Sequence, residues 1–264
     1  MKYFYYNLNH VSLALLCLGL VVMVYLASLW ATYRFLPGLR FQPDSTTSGA
    51  LYLAIIGLIF SLIFAMDISA VWHNYDRVSA AVDQEADNLN NLYRNLDAYP
   101  AAFRGPVRAQ LELYVERLVT VQFPLLAQGR SEEDPLARQM ITGIYRRIVG
   151  FRSADPGGSS IQRQMLELVA ENRSLRLARV HGAQPYLDPP MWIGLALGTI
   201  LVMVFSCLFN MPDQRQHRLM HACLGASIGV VLLLLLGYNT PFHGPGAISA
   251  DPIRMLHEKM WPAR

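Results

Sequence analysis

Four long apolar blocks constrain this chain more than any other feature. Residues 11–33 carry no charge, residues 51–72 carry only Asp67, and residues 191–211 and 219–238 carry none. A bilayer core of roughly 30 Å takes about 20 apolar residues at a rise of about 1.5 Å each, so every block is long enough to cross. The first block is too long for the h-region of a signal peptide, and no small-residue cleavage site interrupts it before Trp30. The alternative, four core helices of a soluble protein, fails on composition. The chain is 53% hydrophobic and 16% charged, which leaves too few polar residues to cover four such helices. Pro189-Pro190 opens the third block and Pro241 follows the fourth, while Trp30, Trp72 and Trp192 stand near block ends, where amphipathic rings favour the membrane interface.

Other classes find little support. A net charge of +3 is too small to call for a nucleic-acid partner. The sequence has no phosphate-binding glycine loop, dinucleotide fingerprint or zinc-type Cys/His pairing, so no cofactor or metal is expected. Cys17, Cys207 and Cys223 lie inside apolar blocks and read as small hydrophobes. His217 and His221 share a helical face, but two histidines without a nearby carboxylate make a poor metal site. No nucleophile–base pair suggests an enzyme.

Between the second and third blocks, residues 73–188 read as helices throughout. Val78, Val82, Leu89, Leu92 and Leu96 recur at helical steps, and no breaker separates Trp72 from Val78, so the second span continues as one long helix to Tyr99-Pro100. A second helix uses Val107, Leu111, Tyr114, Leu118 and Val121 and is expected to stop near Pro124. A third starts around Pro135 with Met140, Ile144 and Ile148 on its seam. Asp155-Pro156-Gly157-Gly158 reads as a loop, and a fourth helix runs from about Ser159 to Gly182 through Leu166, Val169, Leu177 and Val180. The domain layout expected is therefore 1–72 with spans 11–33 and 51–72, a helical domain at 73–188, 189–240 with spans 191–211 and 219–238, and a tail at 241–264. In the tail, Asp251 as N-cap and Pro252 at the first position start a short amphipathic helix over 252–261, resting on the membrane surface or on the domain.

Three charges sit where charges are costly. Glu85 lies in the seam between Val82 and Leu89, and Arg173 lies between Val169 and Leu177 on the last domain helix. A bidentate Arg–carboxylate pair is the natural way to bury both, so Glu85 and Arg173 are expected to meet, as a register-fixing pair or a gate. Asp67 lies within the second span, on one face with Ile56, Phe60 and Phe64. Around a shared axis that face would form an apolar throat with a carboxylate ring at its end; alternatively it packs against the first span.

Four crossings put both termini and the domain on one side. Lys2, Arg77, Arg173, Arg176, Arg179, Arg254 and Lys259 mark that side, against Arg34, Arg40, Arg215 and Arg218 on the other, which favours a cytoplasmic domain.

From Leu51 onward the chain resembles the bestrophin-like family of bacterial membrane proteins. The likeness rests on the second span, Tyr75-Asp76, Val82-x-x-Glu85-Ala86, Leu92-Tyr93-Arg94, Tyr114-Val115, Arg173 with Arg176, and Pro241-Phe242-x-Gly244. A more distant similarity reaches the bestrophins, pentameric ion channels whose second span lines the pore with an Ile-Phe-Phe face before a Trp-x-x-Tyr-acid motif. Ile56, Phe60 and Phe64 match that face by type, and Trp72, Tyr75 and Asp76 match the motif. Aligning the motif puts the throat residues out of step and would turn Ile55, Ile59 and Ile63 to the pore instead. The late acidic cluster that binds calcium in eukaryotic bestrophins is missing.

The resemblance implies an all-α membrane protein of two plus two spans with an inserted cytosolic domain. It would be a homo-oligomer, five-fold by family likeness, in a bacterial inner membrane. Its partners would be lipid, its own copies and permeant inorganic ions, with Ile56, Phe60, Ile63, Phe64 and Asp67 at the pore and Asp67 favouring cations. The competing expectation is a non-conducting receptor or scaffold whose helical bundle senses a ligand.

Overall fold

A computed structural model describes residues 10–35, 46–152, 156–209, 213–244 and 246–261. Lys2, Arg40, Asp155 and the end of the third block, residues 210–211, lie outside the described residues. The chain folds into nine helices among the described residues: α1 (His10–Phe35), α2 (Thr46–Asn95), α3 (Ala101–Arg117), α4 (Phe123–Ala127), α5 (Pro135–Gly150), α6 (Pro156–Gly182), α7 (Pro189–Cys207), α8 (Gln214–Tyr238) and α9 (Asp251–Met260). No strand occurs among them. The helices form two compact units, residues 2–73 with 185–239 and residues 74–184 with 240–264.

The first unit contains α1, the first half of α2, α7 and α8, and each of these helices is long and apolar enough to cross a membrane. In lipid, apolar surface alone does not drive helices together; close packing and small residues do. Phe60, Phe64, Leu195, Met203 and Leu235 form its buried centre, with Val21 and Leu232. Hydroxyls inside the unit are satisfied within their own helices: Thr32 donates to the Ser28 carbonyl at 2.8 Å, and Thr199 to the Leu195 carbonyl at 2.8 Å. Asn239, at the end of α8, accepts the Tyr186 and Leu187 amides at 3.0 and 2.9 Å and so fastens the segment that enters α7.

The second unit is a helical bundle around the α2 seam. Val78, Val82, Leu89, Leu92 and Leu96 are all 1% exposed or less. Gly182 closes against Val78 so tightly that a Cβ there would strike the valine side chain. The helix that begins at Ala101 does not stop near Pro124. It passes through a π-helical turn, Leu118–Gln122, into α4. Proline removes an N–H and crowds the carbonyl four residues back, and a wide turn before it relieves both. The extra residue also shifts the buried face, so Gln122 is buried where the apolar spacing pointed to Val121. The true stop is Gly129, at φ 75°, a left-handed conformation that favours glycine.

Two further boundaries differ from the sequence reading. α6 starts at Pro156, because proline is well suited to a first turn, so Pro156-Gly157-Gly158 is helix and not loop. In the tail, Asp251 is the first residue of α9 and Ala250 is its N-cap. The Ser249 hydroxyl accepts the Asp251 amide at 3.2 Å and takes over the capping role. Ile253 and Leu256 are buried, so α9 packs on the helical bundle.

Asp134 ties the α3–α5 connection. It accepts two bonds from the Arg117 guanidinium and one from the Leu136 amide at 3.2 Å, capping α5. Its own amide donates to Gln122 Oε1 at 2.9 Å. Burial pushes its carboxyl up, but the Arg117 and Leu136 hydrogen bonds outweigh this and hold it below the usual carboxylate value. A depressed folded-state value means stability that is present above about pH 3.9 and lost as the pH falls through the folded value. Asparagine caps as well as aspartate, so Asp134→Asn should cost about 1 kcal/mol at pH 7 through the lost charge-assisted bonds from Arg117 and flatten the acid limb of unfolding. Unfolding midpoints at pH 7 and pH 3 check both; an unchanged acid slope would refute the linkage.

Candidate functional site

The expected throat divides between two environments. Phe60 and Phe64 are 9% and 6% exposed, and their rings meet edge to face at 4.6 Å within a single protomer. Phe60 closes against Gly198 of α7, where any Cβ would run into the ring. Asp67 follows on the same face and is 8% exposed. The reading that placed Phe60, Phe64 and Asp67 around a central axis is corrected: their face closes the packing of one protomer. The missing side chain at Gly198 is what leaves room for the Phe60 ring against α7. Ile56 is half-buried beside them.

The flank of α2 beside this face is uncovered. Ile55 is 54% exposed, Ile59 58% and Ile63 46%, with Leu62 and Met66 at 63% and 66%. Of the four crossing helices α2 is the least covered. Only 17% of its most apolar stretch is buried, against 22% for α1 and 33% each for α7 and α8. The isoleucine register, one position before the matched aromatic face, is therefore the one that this protomer leaves open to other molecules. Trp72, at the end of this stretch, packs edge-on against Tyr238 with centroids 5.0 Å apart.

In the bundle, Tyr75 of the same motif donates to the Gly246 carbonyl at 2.7 Å and so anchors the tail to α2. Asp76 is exposed. Glu85 is fully buried, and its partner is Arg179, not Arg173. Arg179 Nε donates to Oε2 at 2.7 Å and Nη2 to Oε1 at 3.2 Å, and neither side chain has any exposure. Tyr114 closes the group: its hydroxyl lies 3.4 Å from both Glu85 Oε1 and Asn172 Oδ1. Burial, reinforced by the Glu85 charge, pushes that phenol far above its usual value. Burial opposes the charge on Arg179, but Glu85 beside it holds the guanidinium protonated. The Arg179 guanidinium also sits over the Phe123 ring, 5.2 Å from its centroid.

Arg173 is exposed on α6. The buried seam of this helix runs Met165, Val169, Asn172, Arg176, Arg179 and Ala183, at steps of four and three. Three of these six are polar, so a line drawn through apolar residues alone fell one position away, on Arg173. The signal was present as a spacing of 3 and 4 shared by Asn172, Arg176 and Arg179. Arg176, 5% exposed, pairs with Glu133 at 2.7 Å. Among the described residues no cluster of three His, Cys, Asp or Glu could hold a metal ion.

The family model of the bestrophin-like domain matches residues 19–253, most of the chain. No curated protein and no solved structure matches it. On the extent of that match, this all-helical membrane protein belongs to the bestrophin-like family.

Proposed function

We propose that the chain is the subunit of a homo-oligomeric ion channel whose water path is lined by the uncovered face of α2, with Ile55, Ile59 and Ile63 as its apolar constriction. One observation carries the reading: α2 is the least covered crossing helix, and the isoleucines that the Trp72 motif puts in pore register stand on its open side. Family membership supports it. An apolar constriction of this kind holds back ions by dewetting. Five subunits follow from the family likeness, and a bacterial inner membrane with a cytoplasmic bundle from the family and the basic residues. The charge of the ion is left open, because Asp67, the reason to favour cations, is buried in the protomer.

Reconstituted protein should give unitary currents in planar bilayers. Ile59→Ser, which wets the constriction without touching the protomer core, should raise them severalfold, while Leu53→Ala, on the packed face of the same helix, should not. Silent bilayers containing correctly assembled oligomers would turn the choice to a receptor.

A further inference from the structure

We infer that the bundle binds a small organic phosphate in a basic cleft between α5 and α6. The cleft encloses about 470 Å³. α5 presents Arg138, Ile141 and Tyr145 to it from one helical face, and α6 presents Val169, Arg173 and Arg176. Three arginines therefore line one cavity, and no carboxylate stands in its wall among the described residues.

Arg176 is the decisive member. It is 5% exposed, and Nη2 is held by Glu133 at 2.7 Å. Its Nε and Nη1 are also buried, yet neither has a hydrogen-bond partner. Leaving buried guanidinium donors unmet is costly, and most folds avoid it. Nε–H and Nη1–H leave the planar group in different directions, so with Nη2 on Glu133 they call for separate acceptor oxygens, of which a phosphate offers several. Arg138 and Arg173 are exposed at the cleft and form no ion pair among the described residues, so their charge is available to the same ligand. Three positive groups against one neighbouring carboxylate favour a dianion over a monoanion. Ile141, Val169 and the Tyr145 ring supply an apolar wall, which selects a phosphate attached to an organic group over the free ion.

The site is separate from the conduction reading and stands or falls without it. Arg176 stands between Asn172 and Arg179 on the buried face of α6, and both of those belong to the polar cluster around the Tyr114 hydroxyl. A ligand here would thus bear on the polar centre of the bundle.

The test uses the full-length protein in detergent, with phenyl phosphate and inorganic phosphate as probes in calorimetric titrations. Phenyl phosphate should bind saturably, one per chain, and more tightly than inorganic phosphate. Arg138→Gln and Arg173→Gln, both surface changes that leave the fold intact, should each weaken it roughly tenfold. Arg104→Gln, whose side chain pairs with Asp97 on another face, should change nothing. Nanodiscs with and without phosphatidic acid distinguish the sources. Competition by the lipid, lost in Arg173→Gln, identifies a headgroup, and lack of competition identifies a soluble phosphate; both support the site. Absence of saturable binding, or equal binding by Arg138→Gln and Arg173→Gln, overturns it.

Discussion

Arg179→Met should destabilise the helical bundle by about 3–5 kcal/mol, because it strands a carboxylate in a site closed to solvent. Glu85 and Arg179 have no exposed side-chain surface, and their two hydrogen bonds are the charge compensation for both. Removing the arginine leaves Glu85 with the Tyr114 hydroxyl at 3.4 Å as its remaining bonded group. The paired replacement Glu85→Leu with Arg179→Met should recover most of the loss. Taking both charges out of a buried pair avoids the desolvation that the pair has to overcome, and such replacements are often neutral. The two single changes and the double change, compared by denaturant unfolding of the purified protein, give the coupling directly. A double variant as unstable as Arg179→Met alone would show that the arginine is needed for packing against Phe123 and not for its charge.

Most of the architecture was legible in the sequence because its strongest signals are lengths. Apolar runs long enough to cross, the unbroken stretch from Trp72 to Val78 and the halt at Tyr99-Pro100 needed no tertiary knowledge, and the family likeness agreed with them. What was not legible is direction. Inside a membrane the packed face and the lipid- or pore-facing face of a helix are both apolar, so the steps joining Ile56, Phe60 and Phe64 identify a shared face without saying what lies opposite. The deciding residue, Gly198, lies on another helix about 140 positions away, and its meaning appears only when its lack of a side chain is seen against the Phe60 ring. The Arg179 error has a different root. Hydrophobic periodicity finds a seam by its apolar members, and the α6 seam is half polar. The π-helical turn before Pro124 moved the phase again, by one residue, in a way that no spacing rule anticipates.

Phe60→Ala should cost about 3 kcal/mol, and Ile59→Ala, one residue away, under about 0.5 kcal/mol. The estimate for Phe60 takes the low end of the range for buried aromatics because lipid gives the ring no transfer term; the loss is of contacts alone. Those contacts include the edge-on ring of Phe64 at 4.6 Å and the bare backbone of Gly198. Gly198→Leu attacks the same junction from the other side and should be at least as harmful, since its side chain needs the space that the ring fills. Combining Phe60→Ala with Gly198→Leu should restore part of the stability lost in either single variant, because the deleted ring makes room for the added leucine. Detergent-solubilised protein and thermal unfolding are enough to measure all four. The pattern also separates the two faces of α2 by function: in bilayers Phe60→Ala should leave unitary current as it is, whereas Ile59→Ser raises it. A Phe60→Ala variant of unchanged stability and increased current would return the aromatic pair to the axis and remove Ile59 from it.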